Sequence, residues 1–480
     1  MKIRAFFLCY NIYELKKHIK ICCFRSEKIR VRIVDINAND KDWKERLSNC
    51  ESGSIIKLHG KFDLKHEKTN RFFVGKHNAQ NLITFNKPNL VIDGENAQIN
   101  FEVESFLEEN VNMLYLSKEA KNVKLKNLRI SFYFKGKSSS AQVCAIYNTA
   151  YYLKLTNCKF DMFAESQINA VCIYNNGDLD TTLETRADNL VISDCYLKVQ
   201  CAAQSFEKPN TVYAIYNNLA NSIAIENNYI YATNSGSGVN QQAIGIYNSG
   251  RFARIENNNI KANGSHNKGK LLEHAHAYGA YNTGPYMVFT GNNCVGEWGG
   301  KCVGLYNAGE CSNITANKIL STHTIFGRTV QLAAEHCILN SNIITSTSRN
   351  PHLLDVFAGD NVITGNYMQG LMGFTDYYSG CGVFVRGDEK QKIRRCNISN
   401  NIISNGRDFG IVLINTENNI VKNNQLIKFP EANDYTAVYT ENSNDKIADN
   451  ITDGQSNQNY QLSKERLLRN YDEAVRSIYQ

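Results

Sequence analysis

The chain has 480 residues, is 42% hydrophobic and 21% charged, and carries a formal net charge of +7. That balance excludes a disordered chain and leaves ample core, and no run of about 18 apolar residues offers a membrane-spanning helix. Residues 1–30 hold eight Lys/Arg and two Asp/Glu, so +6 of the +7 sits there; the remaining body is close to neutral, which argues against nucleic acid as a partner.

Residues 1–35 form a basic N-terminal segment. Its apolar run Ala5–Tyr10 is broken by Asn11 and Glu14-Leu15-Lys16-Lys17. A signal peptide would continue that run to a small-residue cleavage site, so a surface or capping segment is the better reading. Residues 36–62 read as a cap helix and first strand. Trp43, Leu47 and Cys50 share one helical face, Gly53 is a stop, and Ile55 to Phe62 is extended.

From 63 to 455 the chain repeats itself. One motif recurs at Tyr147-Asn148, Tyr174-Asn175, Tyr216-Asn217, Tyr247-Asn248, Tyr281-Asn282 and Tyr306-Asn307, each after two small or apolar residues. A second series trails it: Asn127, Asn157, Asp194, Asn228, Asn258, Asn293, Asn317, Asn342, Asn366, Asn401, Asn424 and Asn450. Its minimal step of 23–26 residues holds two or three short apolar/polar alternations. A fixed short period means a solenoid whose units bury their apolar faces on their neighbours. The expected fold is all-β: a right-handed parallel β-helix of roughly 11–13 coils, a rod about 55–60 Å long at ~4.8 Å per coil. Stacked Asn at a turn accepts left-handed backbone angles and bonds along the rod, which accounts for 62 Asn. Five Pro in the whole chain suit uninterrupted ladders. Residues 456–480 read as a helical cap, with Leu468, Tyr471, Val475 and Ile478 on one stripe.

The fifteen cysteines are odd in number and form no CxxC pair. Cys158, Cys195 and Cys294 each follow an acid or Asn of the second series, while Cys144, Cys172 and Cys302 lie in the first strand. They read as small buried hydrophobes in a reducing compartment.

The stretches "DWKERLSNCESGSIIKLHGKF" and Asn89-Leu-Val-Ile92-Asp93-Gly94, together with the repeated "NNxI" steps, resemble the pectate-lyase-like right-handed β-helix superfamily over about residues 31–455. The resemblance implies the fold. It does not fix an activity, because the superfamily spans lyases, hydrolases, uronate epimerases, tailspikes and non-catalytic adhesins. The paired-Asp and "GHG" pattern of polygalacturonase-type hydrolases is absent, and so is the "RxPxxR" of pectate lyases. The "DPH" of mannuronan epimerases has only an echo in Asn350-Pro351-His352, with Asn in place of the acid.

The Tyr series is the remaining candidate. Strict alternation in Gly245-Ile246-Tyr247-Asn248 puts Ile246 inside and Tyr247 outside, beside an outward Gly or Ala. Tyr147, Tyr174, Tyr216, Tyr247, Tyr281 and Tyr306 would then line a shallow groove on which sugar rings stack. Counting back about ten residues from each later Asn extends the column to Gln331 (or Leu332), Asp355, Arg386, Leu413 and Tyr439. Asp355 and Arg386 on neighbouring coils suggest a base or acid beside a cation that neutralises a uronate. Asp376 and Tyr377, between them, are further candidates over that site. His274 and His276 alternate and share a face, but no third metal ligand is in view. The expected partner is a polysaccharide or oligosaccharide, which the protein binds and cleaves or modifies as a lyase, hydrolase or epimerase. No cofactor or metal is expected. The rival is a non-catalytic structural or adhesive rod. Oligomeric state stays open.

Overall fold

The computed structural model describes residues 32–452 apart from 69–78, 96, 106–109, 137–141, 166–168, 178–186, 203–209, 236–240, 265–274, 349, 371–379, 407 and 429–434. Residues 1–31 of the basic segment, the expected C-terminal cap, His274, Asp376 and Tyr377 fall outside the described residues.

Each coil presents three faces. In one coil, Gln242–Asn248 forms the first face, Arg254–Glu256 the second and Asn259–Asn263 the third. All three pair in parallel and in register with the next coil: Tyr247 with Tyr281, Ile255 with Phe289, Ile260 with Cys294. Such ladders run from Ile33–Asn37 on Ile55–His59 to Phe409–Lys422 on Thr436–Ala448. The alternation dictates this. In Leu153–Thr156 the two leucines are buried while Lys154 and Thr156 are half-exposed, so one face fills the rod and the other meets water. Because the same position recurs on each coil, like stacks on like. Ile146, Ile173, Ile215 and Ile246 form one continuous buried column.

Two asparagine ladders hold the corners. Between the second and third faces a residue with positive φ, such as Asn227 (57°) or Asn257 (55°), turns the chain, and the next residue points inward. Asn228 donates to Asn258, Asn258 to Asn292 and Asn292 to Asn317, at 3.0–3.1 Å. The ladder continues to Asn450. The expected member Asn293 is corrected to Asn292, because Asn293 already begins the third-face strand. Asn127, Asn157 and Asp194 likewise occupy the positive-φ position, and Leu128, Cys158 and Cys195 take the inward one. Cys294 is therefore a strand residue. The second ladder joins the Asn of each Tyr-Asn motif. Asn148, Asn175, Asn217, Asn248 and Asn282 each pass an amide proton to the next coil, ending on Asn307, at 2.6–2.7 Å.

At the N-terminal end the helix Trp43–Ser48 buries Trp43 and Leu47, with the Trp43 ring 4.9 Å edge-on to Phe62. One strand precedes it, Ile33–Asn37, so the first coil begins before the boundary expected at residue 36. The twelve described cysteines are free thiols, and all but Cys311 are buried. Burial pushes Cys144 and Cys302 up to about 12, which keeps them neutral packing groups.

Candidate functional site

The geometry of the first face rests on a bulge repeated coil after coil. A Cβ on Gly245 would meet Ile260 Cγ2 at 2.6 Å, and one on Gly304 would meet Ile319 Cγ2 at 2.4 Å. Both contacts are core residues, so these glycines face inward, as does the following Ile246 or Leu305. Two successive inward residues break the period of two. The outward positions then lie three residues apart: Tyr278 and Tyr281, Arg328 and Gln331, His352 and Asp355. This corrects the expected outward glycine row. Strict alternation fails at the bulge, and the small residues line the core instead of a groove floor.

The tyrosines do share the outer face. Their rings stack on one another at centroid distances of 4.8 Å (Tyr147 on Tyr174), 4.7 Å (Tyr216 on Tyr247), 5.5 Å (Tyr247 on Tyr281) and 4.4 Å (Tyr281 on Tyr306). A second outward row packs beside them, with Tyr213 edge-on to Tyr216 at 4.7 Å and Tyr278 edge-on to Tyr281 at 5.3 Å. Ring faces are thus turned to neighbouring rings rather than to a ligand, and all six rings are half-buried. Burial, then the neighbouring phenols, raises the hydroxyls of Tyr174 and Tyr281.

The ladder ends on a polar cluster. Tyr306 pairs with Gln331, Gln331 with Asp355 and Asp355 with Phe384. Three residues earlier the other row carries Arg328, His352 and Cys381 in register. His352 is 0% exposed, Arg328 and Asp355 1%, and the nearby Lys301 3%. His352 Nδ1 lies 2.7 Å from Asp355 Oδ1. Arg328 Nε stands 3.8 Å from Asp355 Oδ2, and Gln331 Nε2 donates to that oxygen at 3.3 Å. The His352 ring rests 5.2 Å from Phe384. Lys301 Nζ sits 5.9 Å over the Tyr278 ring.

Electrostatics sort the protons. Burial opposes the charge on Asp355, but His352, Arg328 and the Gln331 amide outweigh it and hold the carboxyl below its usual value. Burial, then Arg328, drives His352 down to about 4. The imidazole is therefore neutral: Nδ1–H donates to Asp355 and Nε2 offers a lone pair. Nε2 has no hydrogen-bond partner among the described residues, nor does Lys301 Nζ. Burial, then Arg328, lowers Lys301 to about 7. The cluster thus sets two proton acceptors, His352 and Lys301, beside a fixed guanidinium.

Asp355 lies in the column as expected, but Arg386 does not. Phe384 is the residue opposite Asp355, and Arg386 pairs with Ile414. Val412, not Leu413, takes the next position. Tyr281 precedes Asn292, and Asp355 precedes Asn366, by eleven residues, whereas Phe384 precedes Asn401 by seventeen. That coil carries an extra turn at Asp388, whose carboxylate accepts from the backbone of Lys390 and Gln391. A fixed offset overshoots there. Lys301 and Arg328 were not picked from the sequence, and His352 enters it only in the Asn350-Pro351-His352 echo. The signal for Arg328 and His352 was the position three before the column, filled by Tyr213 and Tyr278 upstream; Lys301 stands two residues before that position, in register with His276.

His276, the described member of the histidine pair, is buried and pairs with Gln242 and Lys301. Glu335, His336 and Asp360 bring three potential ligand atoms within 4.8 Å of one another. Arg395 already holds both oxygens of Asp360, at 2.5 and 2.6 Å.

No protein-family model matches the chain, and no curated protein does. Solved structures do resemble it. The mannuronan C-5 epimerase AlgE6 A-module of Azotobacter vinelandii aligns at 11% identity and TM-score 0.45, over 88% of this chain and all of that one. The DFA-IIIase of Arthrobacter chlorophenolicus A6, as a mutant in complex with DFA-III, aligns at 11% identity and TM-score 0.35, over 89% and 99%. The tailspike of E. coli bacteriophage HK620 aligns at 10% identity and TM-score 0.38, over 88% and 64%. With three faces per coil and coil-on-coil parallel ladders, the described residues form a parallel β-helix.

Proposed function

We propose that the protein acts on an acidic polysaccharide, with His352 as the group that removes a proton from the carbon bearing a uronate carboxylate. The observation that carries this is the buried His352–Asp355 pair, whose Nε2 lone pair has no partner among the described residues. Asp355 fixes the tautomer and stabilises the imidazolium that forms, as the acid does in His–Asp catalytic pairs. Arg328 supplies positive charge for the substrate carboxylate as its charge grows in the transition state. Return of the proton to the opposite face gives an epimer; loss of the adjacent glycosidic oxygen gives an unsaturated product. Asp355, the residue expected to take the proton, becomes the positioning residue, because its two oxygens already accept from His352 and Gln331.

A rod without catalysis is the second reading. The self-stacked tyrosines and the complete burial of the cluster favour it, since both also serve stability. The deciding experiment incubates the purified chain with polygalacturonate, polymannuronate, polyguluronate and glucuronan in D2O. Loss of the H-5 signal by NMR, or ultraviolet absorbance of an unsaturated product, abolished by His352→Gln, supports the enzyme. No exchange and no product on any of the four polymers supports the rod.

A further inference from the structure

A recess lies on the third face, several coils from the buried cluster. Asn100, Ser131 and Asp161 stack in one outward row, and Glu102, Tyr133 and Phe163 in the next. All six are half-buried. Ser131 is the smallest member of its row, and its position between Asn100 and Asp161 opens a recess of ≈350 Å3 lined by these residues and Leu64. That volume lies within the range of small-ligand sites, roughly 300–1,000 Å3.

The walls are preorganised. Tyr133 and Phe163 stack at 5.7 Å and 5°, and the Tyr133 hydroxyl is tied to Glu165. That bond, then burial, raises Tyr133 to about 12, so it stays a neutral wall. Asn100 donates to Asp63 at 2.5 Å. Two carboxylates, Glu102 and Asp161, line the recess. Asp161 shares Lys198 at 3.5 Å and Asp63 shares Lys61 at 3.4 Å, whereas Glu102 has no ion pair among the described residues.

We propose that this recess binds an amine-bearing pyranose of a cationic oligosaccharide. Its ammonium sits between Glu102 and Asp161, its C–H face lies along the outward edges of the Tyr133 and Phe163 rings, and its hydroxyls meet Asn100 and Ser131. The chemistry is the reverse of the first-face cluster: there basic side chains surround one carboxylate, and here carboxylates flank an aromatic pair. The proposal does not depend on the activity assigned above.

The test is calorimetric titration of the full chain at pH 6 and low salt with a fully deacetylated glucosamine tetramer, its N-acetylated counterpart and cellotetraose. The deacetylated tetramer binds, raised salt weakens it, and the other two bind at least about tenfold more weakly. Glu102→Gln and Asp161→Asn keep shape and remove charge, and each weakens binding about tenfold. Phe163→Ala also weakens it, while Tyr367→Ala, near the far end of the same face, leaves it unchanged. The proposal is overturned if the deacetylated tetramer does not bind, if the N-acetylated one binds equally well to the wild-type chain, or if both charge-removing variants bind as wild type does.

Discussion

His352 and Asp355 stand three residues apart on one strand, yet their side chains meet, Nδ1 to Oδ1 at 2.7 Å. In a regular strand residues i and i+3 point to opposite faces. They meet here because the bulge at Leu353 and Leu354 turns two successive side chains inward. The same step that stacks the tyrosines therefore builds the polar cluster, and the cluster can be tested as an electrostatic unit.

Asp355→Asn removes the carboxylate beside a buried guanidinium. Breaking one side of a buried ion pair costs about 3–5 kcal/mol. His352→Gln removes a hydrogen-bonding partner but strands no charge, and costs about 1–3 kcal/mol. Urea unfolding should rank the two in that order. Equal midpoints would show that Asp355 does not balance Arg328.

The pH dependence follows from Lys301 and His352. Both have folded values below their unfolded ones, Lys301 at about 7 against 10.5 and His352 at about 4 against 6.5. The unfolded chain then binds more protons in each window, so stability rises with pH there. His352 contributes fully above about 6.5, and its contribution is lost as pH falls through about 4. Lys301 adds stability as pH rises from 7. The raised thiols, Cys144 and Cys302 among them, act in the opposite sense from about pH 8.5, and the raised tyrosines from about pH 10. Lys301→Met should reduce the gain between about pH 7 and 8, measured as denaturant midpoints. An unchanged slope would place the Lys301 ammonium in water.

Ile246 and Tyr247 are neighbours with different roles. Ile246 is fully inside, and Ile246→Ala should cost about 2–5 kcal/mol. Tyr247 lies outside between two stacked rings, so Tyr247→Ala should cost less, about 1–3 kcal/mol. Equal losses in thermal or urea unfolding would contradict an outer ladder.

Gly279 tests the bulge. An added methyl would meet Cys294 Sγ and the Gly304 carbonyl oxygen, each at 2.6 Å. Gly279→Ala should destabilise by about 1–3 kcal/mol through overpacking. A neutral result would mean that this position faces solvent.

The corner ladder should be sensitive at any rung. In Asn282→Ala, Asn248 loses its amide acceptor and Asn307 its donor inside the core. The expected loss is about 1–3 kcal/mol. Asn282→Ser, which restores one acceptor, should recover part of it.

The sequence by itself determined the solenoid. A period of 23–26 residues with apolar alternation leaves each coil no partner except its neighbours, so the repeat fixes the fold and the stacking of like on like. It also placed Ile246 and Leu305 inside, the tyrosines outside and Asp355 in their column. Only the tertiary structure decided the rest. Whether Gly245 faces in or out depends on a bulge, and a bulge changes the period without changing the composition. Asn292 rather than Asn293 joins the ladder because the strand begins one residue sooner than the repeat suggests. Arg386 yields to Phe384 because an extra turn at Asp388 shifts the count. Lys301, Arg328 and His352 lie on three successive coils, separated by 27 and 24 residues. Arg328 and His352 meet through coil-on-coil register, which brings together residues that no local pattern marks as partners.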